Sequence, residues 1–361
     1  MIRASLAFLE EQQDAGGGFL ASPRFPTYAY CWLRDGSFIA YSLLRWGRAE
    51  ACRKFLAWVA GVLETRTGSV EALERALAAG RKPEPTTTLP TRYTLDGQAA
   101  EDDWPNFQID GYGTWLWLLA EYLDVAHPGT GLPGRWVPAV ELSLRYLRAV
   151  WTFPNYDCWE ENGDQIHPAT LACLFGGVQS MARRTGRSDL TTWADQIRTV
   201  ILATRLPDGR FPKSLGNPAA EASLLWLARP FGVVAPNDPS MVATVAKIEA
   251  DLLRDGGVQR YARDTYYGGG RWILLSAWLA WQHLATGRVA DADALLAWVE
   301  AQAGPDGLPE QVAQQVTDPS FLPVWEQRWG PSASPLLWSH AMYLVALADH
   351  PLFETLSRRI S

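Results

Sequence analysis

Apolar residues recur at the three- and four-residue spacing of an α-helix along most of this chain. Six segments carry them as one stripe with charged residues on the opposite side: 3–13, 48–63, 136–151, 189–203, 239–253 and 289–302. Six other segments are apolar on nearly every side: 36–46, 111–126, 168–183, 219–230, 271–285 and 335–348. The two kinds alternate along the sequence, and no convincing strand pattern separates them.

A helix that is apolar all round must be enclosed by other elements. The alternation therefore predicts an all-α fold, an (α/α)6 barrel in which six inner helices are surrounded by six outer helices. Because the pattern runs through the whole chain, residues 1–361 are expected to form a single domain.

The loops of this predicted barrel differ in length between its two ends. Return loops such as Trp46-Gly47 and Thr286-Gly287 are short. The loops that lead from an outer to an inner helix are long: 14–35, 64–110, 152–167, 204–218, 254–270 and 303–334. Long loops are usually functional, so the active site is expected at the mouth where the inner helices begin.

The tryptophan content points to a kind of ligand: the chain has 18 tryptophans among 361 residues. Indole faces stack on the flat C–H faces of sugar rings, although a Trp-rich core is the alternative. Core positions are indicated for the tryptophans at helical spacing within the apolar segments: Trp115, Trp117, Trp278 and Trp281. The candidate sugar platforms are those in the long loops: Trp32, Trp104, Trp159, Trp272 and Trp325.

Charge and cysteine usage exclude several classes of partner. With 32 Lys and Arg against 39 Asp and Glu, the net charge is −7, so neither nucleic acid nor an anionic membrane is an expected partner. Glu10 and Glu11 interrupt the apolar run that a signal peptide needs, and no apolar stretch has the length of a membrane span, so a cytoplasmic location is expected. The four cysteines and five histidines show no ligand spacing, so no metal or other cofactor is expected.

Two acidic loop segments carry candidate chemistry. Y-D-C-W-E-E-N-G at 156–163 sets Glu160 and Glu161 beside an indole, where the pKa of a carboxyl rises and it can act as a general acid, although a solvated acidic loop is the alternative. G-L-P-E-Q at 307–311 holds Glu310 in a Pro-Gly turn. Two carboxyl groups on separate mouth loops are what glycoside hydrolysis requires. The acidic run 101–103 can also suggest a magnesium–diphosphate site, but a solvated loop explains it better.

Six segments in order resemble the blocks of the glucoamylase family of glycoside hydrolases: 28–36, 103–111, 156–163, 260–272, 308–311 and 336–341. The resemblance covers nearly the whole chain and implies an inverting, exo-acting enzyme on an (α/α)6 barrel. It implies that Glu160 is the general acid and Glu310 the base that activates water, with their carboxyl groups about 6.5–9.5 Å apart. Together with the loop tryptophans, it gives these substrate-binding residues: Tyr28, Trp32, Arg34, Asp35, Trp104, Trp159, Glu161, Arg260, Tyr266 and Trp272.

The resemblance also implies a substrate, a short α-gluco-oligosaccharide of the isomaltose or maltose type. It would lose β-glucose from its non-reducing end, and α-1,6 linkages are slightly favoured. The alternatives are a trehalose hydrolase of the same family, a degenerate barrel that only binds carbohydrate, and a phosphorolytic barrel. The segment Thr317–Gly330, which includes Trp325 and Trp329, matches no family block and is expected to shape the leaving-group side of the pocket.

Overall fold

The computed structural model describes residues 1–84, 86–312 and 316–358, and these are mostly helical. The α-helices are α1 Ile2–Glu11, α2 Leu33–Arg45, α3 Ala49–Glu64, α4 Thr67–Ala78, α5 Asp110–Ala126, α6 Val137–Val150, α7 Pro168–Thr185, α8 Ser188–Ala203, α9 Pro239–Leu252, α10 Ile273–Ala285, α11 Val289–Ala301, α12 Leu322–Trp329, α13 Leu337–Ala348 and α14 Phe353–Arg358. Short 3-10 helices span Pro26–Tyr28, Gly134–Trp136, Ala222–Leu227, Tyr266–Gly268 and Pro319–Phe321. The strands are β1 Cys31–Trp32, β2 Arg92–Tyr93, β3 Leu253–Arg254, β4 Gly257–Val258, β5 Arg271–Trp272 and β6 Gln311–Val312.

The inner elements form a closed ring. In order around it lie α2, α5, α7, the 3-10 helix Ala222–Leu227, α10 and α13, and α13 packs back against α2. Outside them, α1 packs on α13, α3 on α2, α6 on α5, α8 on α7, α9 on the 3-10 helix and α11 on α10. The predicted (α/α)6 barrel is therefore confirmed.

The inner helices are buried on every side, as their composition predicts. Where α5 meets α7 the backbones touch, because a Cβ atom at Gly113 would lie 2.5 Å from the carbonyl oxygen of Cys173. A Cβ at Gly177 would lie 2.4 Å from the carbonyl oxygen of Gly113, so only glycine permits this approach. The four tryptophans that the spacing assigns to the core are buried, which confirms that prediction: Trp115, Trp117, Trp278 and Trp281.

The predicted inner helix 219–230 is wrong in type and length. It is replaced by the six-residue 3-10 helix Ala222–Leu227, all of whose side chains are buried. The helix starts only at Ala222, because Glu221 has an extended backbone and its side chain accepts the Ser223 N–H, and Pro230 follows the helix closely. An apolar run of this length reads the same whether it is an α-helix or a tighter turn.

Two helices, α4 and α12, lie in segments predicted to be loops, and a third, α14, follows the last predicted helix. Helix α4 packs against α6 through a buried stripe formed by Val70, Leu73 and Ala76. Helices α12 and α14 are short and have no fully buried residue, so their few apolar positions did not predict a helix. Among the described residues, no helix has the length and hydropathy needed to cross a membrane.

Short antiparallel strands tie the mouth loops together, an arrangement that the sequence did not reveal. Strand β1 pairs with β2, and β3, β4, β5 and β6 form a second sheet in that order. In this sheet Trp272 pairs with Gln311, so the loop before α10 is joined to the segment that follows Glu310.

Candidate active site

A cavity of about 490 Å³ opens at the end of the barrel where α2, α10 and α13 begin, a volume typical of small-molecule sites. All twelve residues that the sequence analysis singled out line it: Tyr28, Trp32, Arg34, Asp35, Trp104, Trp159, Glu160, Glu161, Arg260, Tyr266, Trp272 and Glu310. The prediction that the long loops bring these side chains to one mouth therefore agrees with the structure. Their individual roles remain proposals.

Glu160 lies in a tight turn that Asp157 organises. The Asp157 Oδ1 atom accepts the backbone N–H groups of Trp159 and Glu161, each at 3.0 Å. Between them, Glu160 adopts a left-handed backbone with φ of 59°, which is strained for a residue with a side chain. The buried carboxylate of Asp157 therefore holds Glu160 in a conformation that aims its side chain into the cavity.

The Glu160 carboxyl receives two hydrogen bonds on one oxygen. Trp32 Nε1 donates to Oε1 at 3.1 Å, and an Nη atom of Arg34 donates to the same oxygen at 3.3 Å. Burial raises the pKa of Glu160 to about 7; Arg34 opposes this rise, and Asp35 and Asp110 add to it. A carboxyl with that pKa is partly protonated near neutral pH, as a general acid must be.

Arg34 is shared by three carboxyl groups. It donates to Asp110 at 3.0 Å and lies 3.2 Å from Asp35 and 3.3 Å from Glu160. Burial raises the pKa of Asp35 to about 6 despite the neighbouring guanidinium. One cation facing three buried carboxyl groups leaves excess negative charge, which favours a bound proton in this cluster. Asp110 was not among the predicted site residues, although its block at 103–111 contains it.

Glu310 is positioned by backbone bonds on both sides. Its N–H donates to the Ala333 carbonyl at 2.8 Å, and its carbonyl accepts the N–H of Ile273, the first residue of α10, at 3.1 Å. The side chain accepts the Tyr28 hydroxyl at 2.9 Å, and the Tyr28 and Tyr266 hydroxyls lie 2.7 Å apart. Burial raises the pKa of Glu310 to about 7, and the bond from Tyr28 opposes that rise.

His340 anchors the loop that carries Glu310. Its Nε2 accepts the N–H of Leu308 at 2.9 Å, and its Nδ1 lies 2.9 Å from Ser5 Oγ. Burial lowers the pKa of His340 to about 4, so the ring stays neutral and can accept that bond. Both ring nitrogens of His340 therefore make structural contacts.

A second charged cluster surrounds Arg260. It binds Asp264 through two hydrogen bonds of 2.7 and 2.6 Å and donates to Glu161 at 3.0 Å. The Tyr261 hydroxyl donates to the other oxygen of Glu161. Burial raises the pKa of Glu161, and Arg260 opposes the rise. The resulting wall presents fixed donors and acceptors, which suits sugar hydroxyls.

Indole rings form the apolar part of the wall. Trp159 and Trp272 lie with ring centroids 5.3 Å apart, and Trp159 Nε1 donates to the buried Glu221 at 3.0 Å. The floor includes Trp338, whose ring lies 5.0 Å beneath the Arg34 guanidinium. Trp338 was missed as a site residue, although the sixth family block at 336–341 contains it.

The rim of the cavity includes α12. Trp325, Arg328 and Trp329 of this helix line the opening, in agreement with the expectation that Thr317–Gly330 borders the pocket. Asp102 of the acidic run 101–103 forms an ion pair with Arg92. Among residues 1–84, 86–312 and 316–358, no group of three or more His, Cys, Asp or Glu side chains is arranged to hold a metal ion.

Sequence comparisons identify relatives of this chain. A family model described as glycosyl hydrolases family 15 matches residues 4–294. The isomaltose glucohydrolase of Kribbella flavida is 42% identical over 357 residues, which cover 97% of this chain and 92% of that protein. The trehalases among the relatives are more distant, with 22–25% identity over 42–52% of their own length.

Solved structures agree with these matches. A glycosidase variant in complex with glucose is 40% identical, with a TM-score of 0.90 over 96% of this chain and 95% of that chain. A bacterial glucoamylase complexed with acarbose has a TM-score of 0.73 over 97% of this chain and 56% of that chain. At 19% identity, the second likeness shows the fold alone.

Proposed function

This chain belongs to family 15 of the glycosyl hydrolases, and we propose that it is an inverting, exo-acting α-glucosidase that releases β-glucose from short α-gluco-oligosaccharides. The family match and the 42% identical relative show that it is a glycoside hydrolase, so the resemblance read from its six segments is confirmed. The proposed inverting mechanism is supported by a pair of carboxyl groups, Glu160 and Glu310, in one cavity. Each has its own hydrogen-bond donors and a pKa raised by burial to about 7.

In the proposed reaction, protonated Glu160 gives its proton to the glycosidic oxygen as the bond to the anomeric carbon breaks. Trp32 and Arg34 stabilise the resulting carboxylate, because their hydrogen-bond donors already lie within 3.3 Å of Glu160 Oε1. Donors that are in place before charge develops stabilise the transition state without reorganisation.

Glu310 takes a proton from the water that attacks the anomeric carbon from the opposite side. Because the Tyr28 hydroxyl donates its proton to Glu310, the Tyr266 hydroxyl donates to Tyr28. These two successive hydrogen bonds orient the Glu310 carboxylate. Water adds to the face opposite the leaving group, so an α-glucoside gives β-glucose.

The terminal glucose is proposed to bind among the buried polar groups of the cavity. Arg34 and Asp35 bind hydroxyl groups on one side, and Arg260 and Glu161 bind them on the other.

The proposed linkage is α-1,6, because the relative from Kribbella flavida is named an isomaltose glucohydrolase and matches almost the whole chain. Trehalose is the second candidate, since several more distant relatives are trehalases. We also propose that residues 1–361 act as one catalytic unit, a view supported by a barrel whose inner and outer helices run from Ile2 to Ala348. A cytoplasmic location remains a prediction.

One substrate panel tests the function. Purified protein is assayed on isomaltose, maltose, trehalose, panose and soluble starch, and kcat/KM is determined for each. Isomaltose is expected to be the best substrate, and proton NMR should show β-glucose as the first product. Release of α-glucose would refute inversion, and soluble starch as the best substrate would refute the preference for short chains.

Matched variants test three carboxyl groups of the site. Glu310→Gln should lose most turnover while still binding glucose, because only the activation of water is removed. Glu161→Gln should weaken both binding and turnover, less severely than Glu160→Gln. Inactivity of the wild-type protein on every α-glucoside would leave a carbohydrate-binding barrel as the remaining explanation.

A further inference from the structure

We propose that Trp329, stacked on Trp104, covers the mouth of the cavity and limits the substrate to one sugar unit beyond the cleaved bond. This inference rests on the proposed function and concerns chain length rather than the chemistry. It assigns a role to α12, a helix in a segment that matches no family block and that lies outside the barrel ring.

No residue of α12 is fully buried, although some of its apolar side chains pack against the edge of the core. The helix is nevertheless fixed in place at the mouth. Trp325 Nε1 donates to the Thr265 carbonyl at 2.8 Å, and the Tyr267 hydroxyl donates to the Gly330 carbonyl at 2.7 Å. The helix therefore presents its large side chains to the cavity from a defined position.

The Trp329 ring lies directly on the Trp104 ring. Their centroids are 5.8 Å apart with an interplanar angle of 28°, so the two indoles are stacked. The Arg328 guanidinium lies 4.6 Å from the centroid of Trp329 and adds a cation–π contact. Two indole rings in contact leave no space for a sugar ring between them, so a bound sugar must lie beneath the stack.

The stack connects the two sides of the proposed catalytic site. On one side, Trp104 meets Trp32 edge-to-face at 5.7 Å, and Trp32 donates to Glu160. On the other side, Trp329 lies 6.1 Å from the ring of Tyr266, whose hydroxyl is 2.7 Å from that of Tyr28.

Tyr28 then donates to Glu310, the proposed base. The aromatic contacts thus run from the acid to the base across the opening. Buried polar residues, Arg34, Asp35 and Arg260 among them, occupy the inner end of the same cavity. A terminal glucose held there places the leaving sugar between the carboxyl groups and the stack, and a third sugar meets the indoles.

The test compares the chain-length profiles of three proteins. Values of kcat/KM are measured on isomaltose, isomaltotriose and isomaltotetraose for the wild type, Trp329→Ala and Val324→Ala. Val324 is the matched control, because it lies on the same helix, is 55% exposed and does not line the cavity. The wild type should prefer the disaccharide. Trp329→Ala should raise the trisaccharide-to-disaccharide ratio of kcat/KM by about tenfold, the scale of one lost aromatic contact, and Val324→Ala should leave it unchanged.

Further variants distinguish a change in chain-length specificity from a folding defect. Trp329→Phe keeps a ring over the mouth and should retain the wild-type ratio, whereas Trp329→Leu should move it in the same direction as alanine. Circular dichroism melting of each variant shows whether it is folded. An unchanged ratio in folded Trp329→Ala or Trp329→Leu overturns the inference, and so does an equal shift in Val324→Ala.

The failure of this inference is distinguishable from the failure of the proposed function. A wild type that cleaves isomaltotetraose as well as isomaltose refutes the limit on chain length and leaves the α-glucosidase intact. A wild type that cleaves no α-glucoside refutes the function itself, whatever the variants do.

Discussion

Replacing Trp32 with phenylalanine removes one hydrogen bond from the proposed acid while keeping an aromatic ring against its neighbours. In the wild type, the indole N–H lies 3.1 Å from Glu160 Oε1, and Arg34 lies 3.3 Å from the same oxygen. Both donors favour the ionised carboxylate and oppose the rise in pKa that burial causes. Without the indole N–H, the pKa of Glu160 should therefore rise.

The size of that rise follows from the geometry. A hydrogen bond to a charged group contributes about 1.5–3 kcal/mol, and the neutral carboxyl accepts the same N–H with roughly half that strength. The difference of about 0.75–1.5 kcal/mol corresponds to a shift of up to roughly one pKa unit. Since burial already raises the pKa of Glu160 to about 7, the variant should titrate near pH 8, to about one unit.

The assay is the dependence of kcat/KM on pH, measured on the best disaccharide from about pH 4 to about pH 10. Its alkaline limb reports the free enzyme's acid and its acidic limb reports the base. Trp32→Phe should move the alkaline limb upward by up to about one unit and leave the acidic limb in place. Trp272→Phe is the matched control, because Trp272 lines the same cavity and its buried indole N–H has no hydrogen-bond partner among the described residues. A shift of the acidic limb instead would mean that Glu160 is not the acid.

Three further predictions concern stability and reactivity. Burial raises the pKa of Glu310 from 4.5 to about 7, so ionisation of this carboxyl destabilises the fold as pH rises through 7. Glu310→Gln should therefore be more stable than the wild type at pH 8, by at most about 3 kcal/mol. Urea titrations should show that this gain vanishes below about pH 4.5. Asp157→Ala should lower the free energy of unfolding by about 2–4 kcal/mol, because two buried backbone N–H groups lose their acceptor. Asp157→Asn keeps Oδ1 but turns an amide toward the Asn162 and Lys213 donors, so it should be destabilised less than Asp157→Ala. Burial raises the pKa of all four cysteine thiols, and that of Cys31 to about 12. Ellman's reagent should therefore label no cysteine in the native protein and four after denaturation. Rapid labelling of the native protein would contradict this burial.

The ring of helices was predictable because a helix buried on every side has an apolar composition that can be recognised in the sequence. Helix α10 has no Asp, Glu, Lys or Arg, and α5 has only Asp110, Glu121 and Asp124, so their composition indicates burial without tertiary information. The segment 219–230 has a similar composition, but its helix starts only at Ala222, after the extended N-cap residue Glu221. Helix α12 is short and its apolar side chains are at most partly buried, so its pattern is too weak to predict a helix.

The site was predictable in its residue types and not in its connections. The motifs identify Glu160 and Glu310, but nothing local indicates that Arg34 contacts Asp110, a residue 76 positions away. The bond between Trp159 and the buried Glu221 likewise depends on how two loops meet. Such partners are set by tertiary packing, and no periodicity or spacing in the chain encodes them.

The two catalytic candidates owe their difference to their neighbours rather than to burial, which raises the pKa of both to about 7. Near Glu160, the negative charges of Asp35 and Asp110 favour a bound proton. Near Glu310, the Tyr28 hydroxyl donates a hydrogen bond that favours the ionised carboxylate.

Burial and the adjacent carboxylates also hold the pKa of Tyr28 well above its ordinary value, so it stays a donor through the working pH range. When the pair Glu160 and Glu310 holds a single proton, the proposed roles require it on Glu160; Asp35 and Asp110 favour that state and Arg34 opposes it. An inverting hydrolase needs this state, because the acid must be protonated while the base is free to accept a proton from water. Reversing the assignment would put the proton on the carboxyl that accepts the Tyr28 hydroxyl and a charge on the carboxyl that two carboxylates repel.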